Sequence, residues 1–315
     1  MAPMASVTGK TTHPSLRRAI LSGIAASLYF ASTSLVSAAA VKNYRDTAVS
    51  VNEWDPVLQG IEDAECADLA VIFARGTFDK GNLGPWVGGP FRDALVSGSA
   101  GIKLAIQGVD TDSYPADLAG YIEEGGSSSC GASIGESVQA YVSHCPDAKV
   151  AIWGWSQGAL CAHKAIGELG DAAANVIALG VFGDPIGVWQ DSVDYPAIPE
   201  GINFLSYCEK TTPDPLCAKP TEDFPHTPKA FIERLKAIWE EVDTTHMNDA
   251  QREAVGELLV ELPKQAVKEL GQLASDIAGG HLRRWMLSPQ HFWYGIDGKV
   301  ETAADDLLRV YNSQK

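Results

Sequence analysis

Residues 149–158 of this 315-residue chain read Lys149-Val150-Ala151-Ile152-Trp153-Gly154-Trp155-Ser156-Gln157-Gly158. An apolar run of strand length leads directly into a Gly-x-Ser-x-Gly motif, and helical spacing begins after the motif. Glycines on both sides of the serine allow the sharp strand-to-helix turn that exposes a nucleophilic hydroxyl at the end of a strand. The stretch therefore predicts a buried strand, a tight turn that carries Ser156, and a helix.

Apolar strand-like runs alternate with helical segments on both sides of this stretch. Residues 69–74 form a continuous apolar run, as expected for a strand that is buried on both faces. Further strands are predicted at 102–109, 176–182 and 202–208, and helices at 132–143, 157–169 and 303–311. Strands separated by helices of this length form right-handed crossovers, so the sequence predicts the α/β class, with a mostly parallel central sheet flanked by helices.

The pattern changes between about residues 228 and 277, where apolar residues recur at helical spacing without strand-like runs. The two apolar stripes are Phe231, Leu235, Ile238 and Val242, then Val255, Leu258, Leu259, Leu262, Leu270, Leu273 and Ile277. Pro263 is predicted to kink or break the second stripe. This segment reads as an all-helical insertion that is either a lid over a substrate or a structural cap.

The first 40 residues have the three-part composition of a secretory signal peptide. They contain no acidic residue, and they combine the basic residues Lys10, Arg17 and Arg18 with an apolar stretch and a small-residue run at 36–40. The apolar stretch is too short and too rich in Ala and Ser for a stable membrane span. We expect cleavage near residues 38–40 and a secreted, extracellular protein, in which the six cysteines can form disulfides.

The overall charge argues against a nucleic-acid partner. The chain has 24 Lys and Arg against 40 Asp and Glu, a formal net charge of −16 that repels polyanions. With 45% hydrophobic residues it can bury a sizeable core, which excludes a disordered chain.

A nucleophilic serine needs a carboxylate and a histidine, which follow it in the order Ser, Asp or Glu, His in this kind of fold. Two Asp-Pro sites compete for the carboxylate, Asp184 and Asp214. We favour Asp214, because a disulfide across the short loop from Cys208 to Cys217 would hold it in place. For the base, His226 follows Asp214 closely in a Pro-rich loop and His291 follows it much later.

Four motifs in this order resemble the cutinase family. They are Ile72-Phe73-Ala74-Arg75-Gly76-Thr77 with Gly81-Asn82-Leu83-Gly84, then Gly154-Trp155-Ser156-Gln157-Gly158-Ala159 after Cys145, then Asp214-Pro215-Leu216-Cys217 after Cys208, and His291-Phe292-Trp293-Tyr294-Gly295. The helical segment between Cys217 and His291 departs from compact cutinases and is similar to the insertion of mycobacteriophage lysin B esterases.

The resemblance implies a cutinase-like α/β-hydrolase with Ser156, Asp214 and His291 as its catalytic residues. It also implies an oxyanion hole made by Thr77 and Gln157, and disulfides that pair Cys66 with Cys145 and Cys208 with Cys217. Cys130 and Cys161 remain, either as a third bridge or as buried free thiols. No metal or organic cofactor is required for this chemistry.

The resulting expectation is a secreted serine carboxylic ester hydrolase that acts on cutin, lipid or cell-wall esters through an acyl-enzyme. We expect a monomer whose partner is its ester substrate, with no nucleic-acid partner and no stable membrane span after signal cleavage. An acetylxylan esterase is an alternative, and so is a catalytically silent surface-binding protein or effector on a hydrolase scaffold. The expected organisation is a signal peptide at 1–40, an N-terminal extension at 41–65, a catalytic domain at 66–217 and 290–315, and the helical insertion at 218–289.

Overall fold

The computed structural model of the chain describes residues 49–220, 224–240 and 245–315. The predicted signal peptide and the first residues of the predicted N-terminal extension lie outside these ranges. All described residues belong to one compact unit, 45–315. None of the helices in the described ranges is long and apolar enough to cross a membrane.

The described part of the chain contains a five-stranded sheet in which every neighbouring pair is parallel, in the order β2-β1-β3-β4-β5. The strands are β1 (Leu69–Ala74), β2 (Leu104–Gly108), β3 (Lys149–Trp155), β4 (Val176–Phe182) and β5 (Asn203–Tyr207). The α/β class with a parallel sheet is confirmed, and each predicted strand overlaps an observed one.

Helices connect the strands along the chain, and further helices come after the last strand. The α-helices are α1 (Asp55–Leu58), α2 (Gly89–Gly98), α3 (Leu118–Ile122), α4 (Ser128–His144), α5 (Gln157–Ala165), α6 (Ile186–Trp189), α7 (Pro228–Glu240), α8 (Asp249–Lys268), α9 (Leu270–Gly279) and α10 (Lys299–Ser313). Short 3₁₀ segments include Leu282–Trp285 and Pro289–Gly295, and a π-helical turn covers Gly84–Gly88.

Alternate residues of β1 point to opposite faces of the sheet and belong to two different cores. Leu69, Val71 and Phe73 lie in a core with α2 and α10. Ala70, Ile72 and Ala74 lie in a core with α4 and α5. Both sides of β1 are therefore dry, which explains why its sequence is continuously apolar rather than alternating.

The strand order reverses direction at β1, because β2 lies on one side of it and β3 on the other. In open parallel sheets, ligands bind at the carboxyl ends of the strands at such a switch point. Thr77 follows the carboxyl end of β1, and Ser156 follows that of β3. The topology therefore brings these two residues to the same crevice.

The helices α7, α8 and α9 occupy the segment in which an insertion was predicted. Trp239 of α7 and Leu258 of α8 belong to the same core as α2 and α10. Phe231 of α7 and Leu273 of α9 join a third core with Leu160 of α5. The apolar stripes of these helices are thus partly buried against the sheet domain. Whether the segment works as a lid or as a cap stays a prediction.

Of the two outcomes predicted for Pro263, a kink or a break, the break was wrong, because α8 continues through the proline to Lys268. Proline lacks the N–H that would bond the carbonyl of Leu259 one turn earlier. Leu259 and Val260 are 40% and 52% exposed, so this turn faces water. Solvent can satisfy the freed carbonyl there, and the helix tolerates the proline.

Candidate active site

Ser156 lies in the tight turn between β3 and α5 with a backbone conformation that non-glycine residues rarely adopt. Its φ is 59° and its ψ is −124°, and its N–H donates to the Phe182 carbonyl at 3.1 Å. A Cβ on Gly154 would lie 2.1 Å from the Gly158 carbonyl oxygen, and one on Gly158 would lie 2.1 Å from that of Ala74. Both motif glycines are therefore required by the space around the turn, as the sequence pattern predicts.

His291 and Asp214 form a fully buried pair, although 77 residues separate them in the sequence. The Nδ1 atom of His291 lies 2.7 Å from Oδ2 of Asp214. Burial opposes the charged carboxylate, but the charge and hydrogen bond of His291, with the hydroxyl of Tyr294, hold the pKa of Asp214 below its ordinary value. An ionised carboxylate only accepts hydrogen bonds, so Nδ1 carries the proton.

This tautomer leaves the Nε2 lone pair of a neutral His291 ring free to accept a proton. Nε2 is buried and has no hydrogen-bond partner among the residues that the structure describes. Trp155, the neighbour of Ser156, donates its indole N–H to the His291 carbonyl at 2.9 Å and stacks on the imidazole with ring centroids 5.4 Å apart. These contacts tie the histidine to the nucleophile turn.

The loop that carries Asp214 is closed by the Cys208–Cys217 disulfide, with a Cα–Cα distance of 5.9 Å. The other carboxylate oxygen of Asp214, Oδ1, accepts from the Leu216 N–H at 3.0 Å. The second disulfide joins Cys66 to Cys145, while Cys130 and Cys161 are free and buried. Both pairings that the resemblance implies are present, and the open question about the last two cysteines resolves to free thiols.

Tyr294 completes the surroundings of Asp214 and was given no role by the sequence reasoning. Its hydroxyl donates to Oδ2 of Asp214 at 2.6 Å and accepts from the Glu209 N–H at 3.2 Å. Burial, and then the adjacent Asp214 carboxylate, raise the pKa of Tyr294 well above its ordinary value. The proton therefore stays on the phenol. The sequence signal was the position of Tyr294 three residues after His291, which carried no hint of its partner.

Thr77 and Gln157, the predicted oxyanion-hole residues, contact each other. The Gln157 side chain satisfies its surroundings when its amide nitrogen donates to the Thr77 hydroxyl at 3.0 Å and to the Asp117 carbonyl at 3.1 Å, and its oxygen accepts from the Tyr121 N–H at 2.8 Å. In the opposite orientation the Gln157 oxygen would face the Asp117 carbonyl oxygen. With the amide nitrogen toward Thr77, the threonine keeps its own proton free to donate. Gln157 is also the first residue of α5, so its N–H has no acceptor within the helix.

Ser156 and Thr77 line a pocket, called here the Ser156 pocket, that the helical segment helps to enclose. Its walls include Tyr121 and Leu216, together with four residues that follow α7 in the chain, Leu262, Arg284, Trp285 and Leu287. Its empty volume is about 370 Å³, including its open mouth. The lining is mostly apolar, which suits an uncharged substrate group.

The competing sequence candidates lie in other surroundings. Asp184 is buried against His163, with 2.8 Å between Oδ2 and Nε2, so this pair links α5 to the end of β4. His226 is exposed in the loop that leads into α7. The structure thus pairs Asp214 with His291 rather than with His226.

Residues 65–237, more than half of the chain, match the family model for cutinase. The chain belongs to the cutinase family. The matched range contains Thr77, Ser156 and Asp214 and ends before His291, which lies beyond the helical segment.

Cutinase 4 of Emericella nidulans is 38% identical over 157 residues, which make up 50% of this chain and 62% of that protein. The chain therefore covers less than two thirds of that relative. A solved Trichoderma reesei cutinase in complex with a phosphonate inhibitor is 21% identical, with coverage of 87% of this chain and 89% of that one and a TM-score of 0.48. Lysin B from mycobacteriophage D29 is 15% identical, with coverage of 76% and 98% and a TM-score of 0.42.

Proposed function

We propose that this chain is a serine carboxylic ester hydrolase of the cutinase type. The observation that carries the proposal is the buried Asp214–His291 pair, whose free Nε2 accompanies a serine held in a strained strand-to-helix turn. Membership in the cutinase family supports the same chemistry. The intact set of residues argues against a catalytically silent scaffold protein.

In the proposed reaction, His291 takes the proton of the Ser156 hydroxyl through Nε2. The serine oxygen attacks the ester carbonyl, while Asp214 keeps the imidazole in the required tautomer and stabilises its positive charge. The imidazolium then protonates the departing alcohol, and an acyl group remains on Ser156. A water molecule, deprotonated by the same histidine, releases the acid and restores the enzyme.

The tetrahedral intermediate carries a negative oxygen, which we assign to donors from Thr77 and Gln157. The Thr77 hydroxyl oxygen accepts a hydrogen bond from the Gln157 amide, so the hydroxyl proton is free to donate to the negative oxygen. One such donor typically lowers the barrier by about 3 to 4 kcal/mol. No metal ion or organic cofactor takes part in this sequence of steps.

The apolar walls of the Ser156 pocket favour cutin, lipid or cell-wall esters over acetylated xylan as the substrate class. An acetyl group on a polysaccharide would bring many hydroxyl groups into a pocket with few polar partners. Rates on p-nitrophenyl esters from acetate to palmitate, beside acetylated xylan and cutin, separate these substrates.

Substitution of the proposed residues tests the function directly. Ser156→Ala should abolish ester hydrolysis and labelling by a serine-directed phosphonate. Asp214→Asn should lower kcat by about 10⁴-fold, because the imidazole is then held in the wrong tautomer. The matched control is Asp184→Asn, which removes the carboxylate of the other buried His–Asp pair and should retain most of the activity. Ester hydrolysis that survives Ser156→Ala would overturn the proposal.

We also propose that the protein is exported. The composition of residues 1–40 and the two disulfides of the folded domain support this, because disulfides persist in oxidising compartments. Protein recovered from culture medium should begin near residues 39–41 when its N-terminus is sequenced. Protein that stays in the cell and begins at Met1 would contradict export.

A further inference from the structure

The helices α7, α8 and α9 enclose a second pocket, called here the insertion pocket. Its empty volume is about 510 Å³, including the solvent at its open mouth. Of the ten described residues that line it, nine are apolar, and the tenth is Lys236. Phe231 and Leu273 contribute buried walls, and Leu259, which is 40% exposed, lies at the edge.

The insertion pocket adjoins the Ser156 pocket, because Leu262 and Trp285 line both. Trp285 is fixed by its indole N–H, which donates to Oδ2 of Asp276 at 2.7 Å. Trp239, another wall of the insertion pocket, packs against Phe292 with ring centroids 4.9 Å apart, and Phe292 follows His291. Mostly apolar side chains therefore line both pockets, from Ser156 to the helical segment.

We propose that the insertion pocket binds the distal part of a long, linear acyl chain whose ester carbonyl lies at Ser156. This inference rests on the esterase function proposed above and makes the helical segment a determinant of acyl-chain length. Each methylene group moved from water into apolar surroundings strengthens binding by about fourfold. Esters with long acyl chains should therefore be preferred over acetates.

The chemistry of the lining selects a hydrocarbon chain over a peptide. A peptide that entered the insertion pocket would bury backbone N–H and carbonyl groups, which need hydrogen-bond partners. The nine apolar side chains of the lining offer almost none. A hydrocarbon chain needs none, and the proposed route takes it between Leu262 and Trp285, the two side chains that both pockets share.

Two pairs of neighbouring substitutions on α8 test the proposal. Ala266 and Leu259 line the insertion pocket, whereas Val267 and Val260 are 60% and 52% exposed and are not part of its lining. Ala266→Phe fills the pocket, and Val267→Phe adds the same ring outside it. Leu259→Asp places a charge at the pocket edge, and Val260→Asp places one beside it.

The measured quantity is the ratio of kcat/KM on p-nitrophenyl laurate to that on p-nitrophenyl acetate. Ala266→Phe and Leu259→Asp should each lower this ratio at least about tenfold, the loss of roughly two buried methylene groups. Val267→Phe and Val260→Asp should leave the ratio at the wild-type value. Because Ala266→Phe can strain the helix, Leu259→Asp at its partly exposed position keeps the test valid if the former variant fails to fold.

Two further arms locate the chain and separate this inference from the esterase function. Ethyl laurate should show the same loss, whereas dodecyl acetate should not. A loss confined to dodecyl acetate would assign the pocket to the alcohol part and overturn the proposal.

Laurate binding to Ser156→Ala, measured by calorimetry, should weaken when Leu259→Asp is added but not with Val260→Asp. If the wild type hydrolyses esters through Ser156 and the pocket variants match their controls, only the pocket assignment fails. If no ester is hydrolysed and laurate still binds in a Leu259-dependent way, the esterase function fails alone.

Discussion

At the scale of single residues, the phenol of Tyr294 is expected to tune the Asp214–His291 pair. Tyr294→Phe removes the 2.6 Å hydrogen bond to Asp214, so the carboxylate binds protons more readily and attracts the imidazolium more strongly. Both effects move the acidic limb of the kcat/KM profile to higher pH. We expect the midpoint of this acidic limb to move to higher pH and kcat to fall, both measured between pH 4 and 9 on a soluble ester.

Tyr207→Phe is the matched control for this substitution. Tyr207 also donates to a carboxylate at 2.6 Å, but its partner is Asp306 of α10 rather than Asp214. Its loss should leave the pH profile in place and affect stability only. A profile that moves equally in both variants would mean that Tyr294 has a general structural role.

The residues of the site differ in how far the sequence could predict them. Ser156 and its flanking glycines belong to one local strand-turn-helix pattern, so the contiguous residues 149–165 carry the whole signal. The contacts of Asp214 with His291 and Tyr294 span 77 and 80 residues and leave no local pattern. For the base, Pro225 and Pro228 beside His226 indicated a connector into the helical segment, and the family resemblance favoured His291.

At the scale of elements, the loop of the Cys208–Cys217 disulfide is also held by charge. The Glu209 carboxylate accepts a hydrogen bond from Lys299, the first residue of α10, and from the Thr211 N–H at 2.6 Å. Burial opposes the charge of the Glu209 carboxylate. The hydrogen bonds from Lys299 and from backbone N–H groups such as that of Thr211 outweigh burial and lower the pKa of Glu209 from 4.5 to about 2. The loop and α10 are thereby fixed to each other.

This pKa shift predicts how stability depends on pH. A carboxylate whose folded-state pKa is depressed contributes stability in full above its unfolded pKa of 4.5 and loses it as pH falls toward about 2. Between pH 5 and 2 the wild-type Tm should therefore fall more steeply than that of Glu209→Gln, by circular dichroism. Glu301→Gln, at an exposed position of α10, should behave as the wild type does. Parallel curves for wild type and Glu209→Gln would contradict the prediction.

The strands and helices themselves could be predicted closely from local patterns of apolar residues. The strand at 176–182 has the predicted bounds, because seven apolar residues without interruption can only be buried from both faces. The break that was predicted at Pro263 does not occur, because the local rule ignores packing. Tertiary contacts of Val255, Leu258 and Ala266 hold α8 on both sides of the proline.

At the scale of the whole molecule, the helical segment and the sheet share hydrophobic cores. Leu258 of α8 is 3% exposed and lies in the same core as Phe73 of β1 and Leu307 of α10. Leu258→Ala should therefore lower the free energy of unfolding by about 2 to 5 kcal/mol, the usual loss when a buried leucine is truncated. Denaturant titration followed by circular dichroism measures this change.

The number of transitions in that titration carries the stronger argument. If the helical segment and the sheet are one cooperative unit, Leu258→Ala shifts a single transition that tryptophan fluorescence and circular dichroism report alike. Val260→Ala on the same helix, at a position that is 52% exposed, should change stability by less than about 0.5 kcal/mol. The alternative result is an early, separate transition that Leu258→Ala shifts and Val260→Ala does not. In that case the segment opens independently of the sheet, as a hinged lid does. A single shifted transition favours a fixed wall, in which substrate reaches Ser156 and the insertion pocket without the segment unfolding from the sheet.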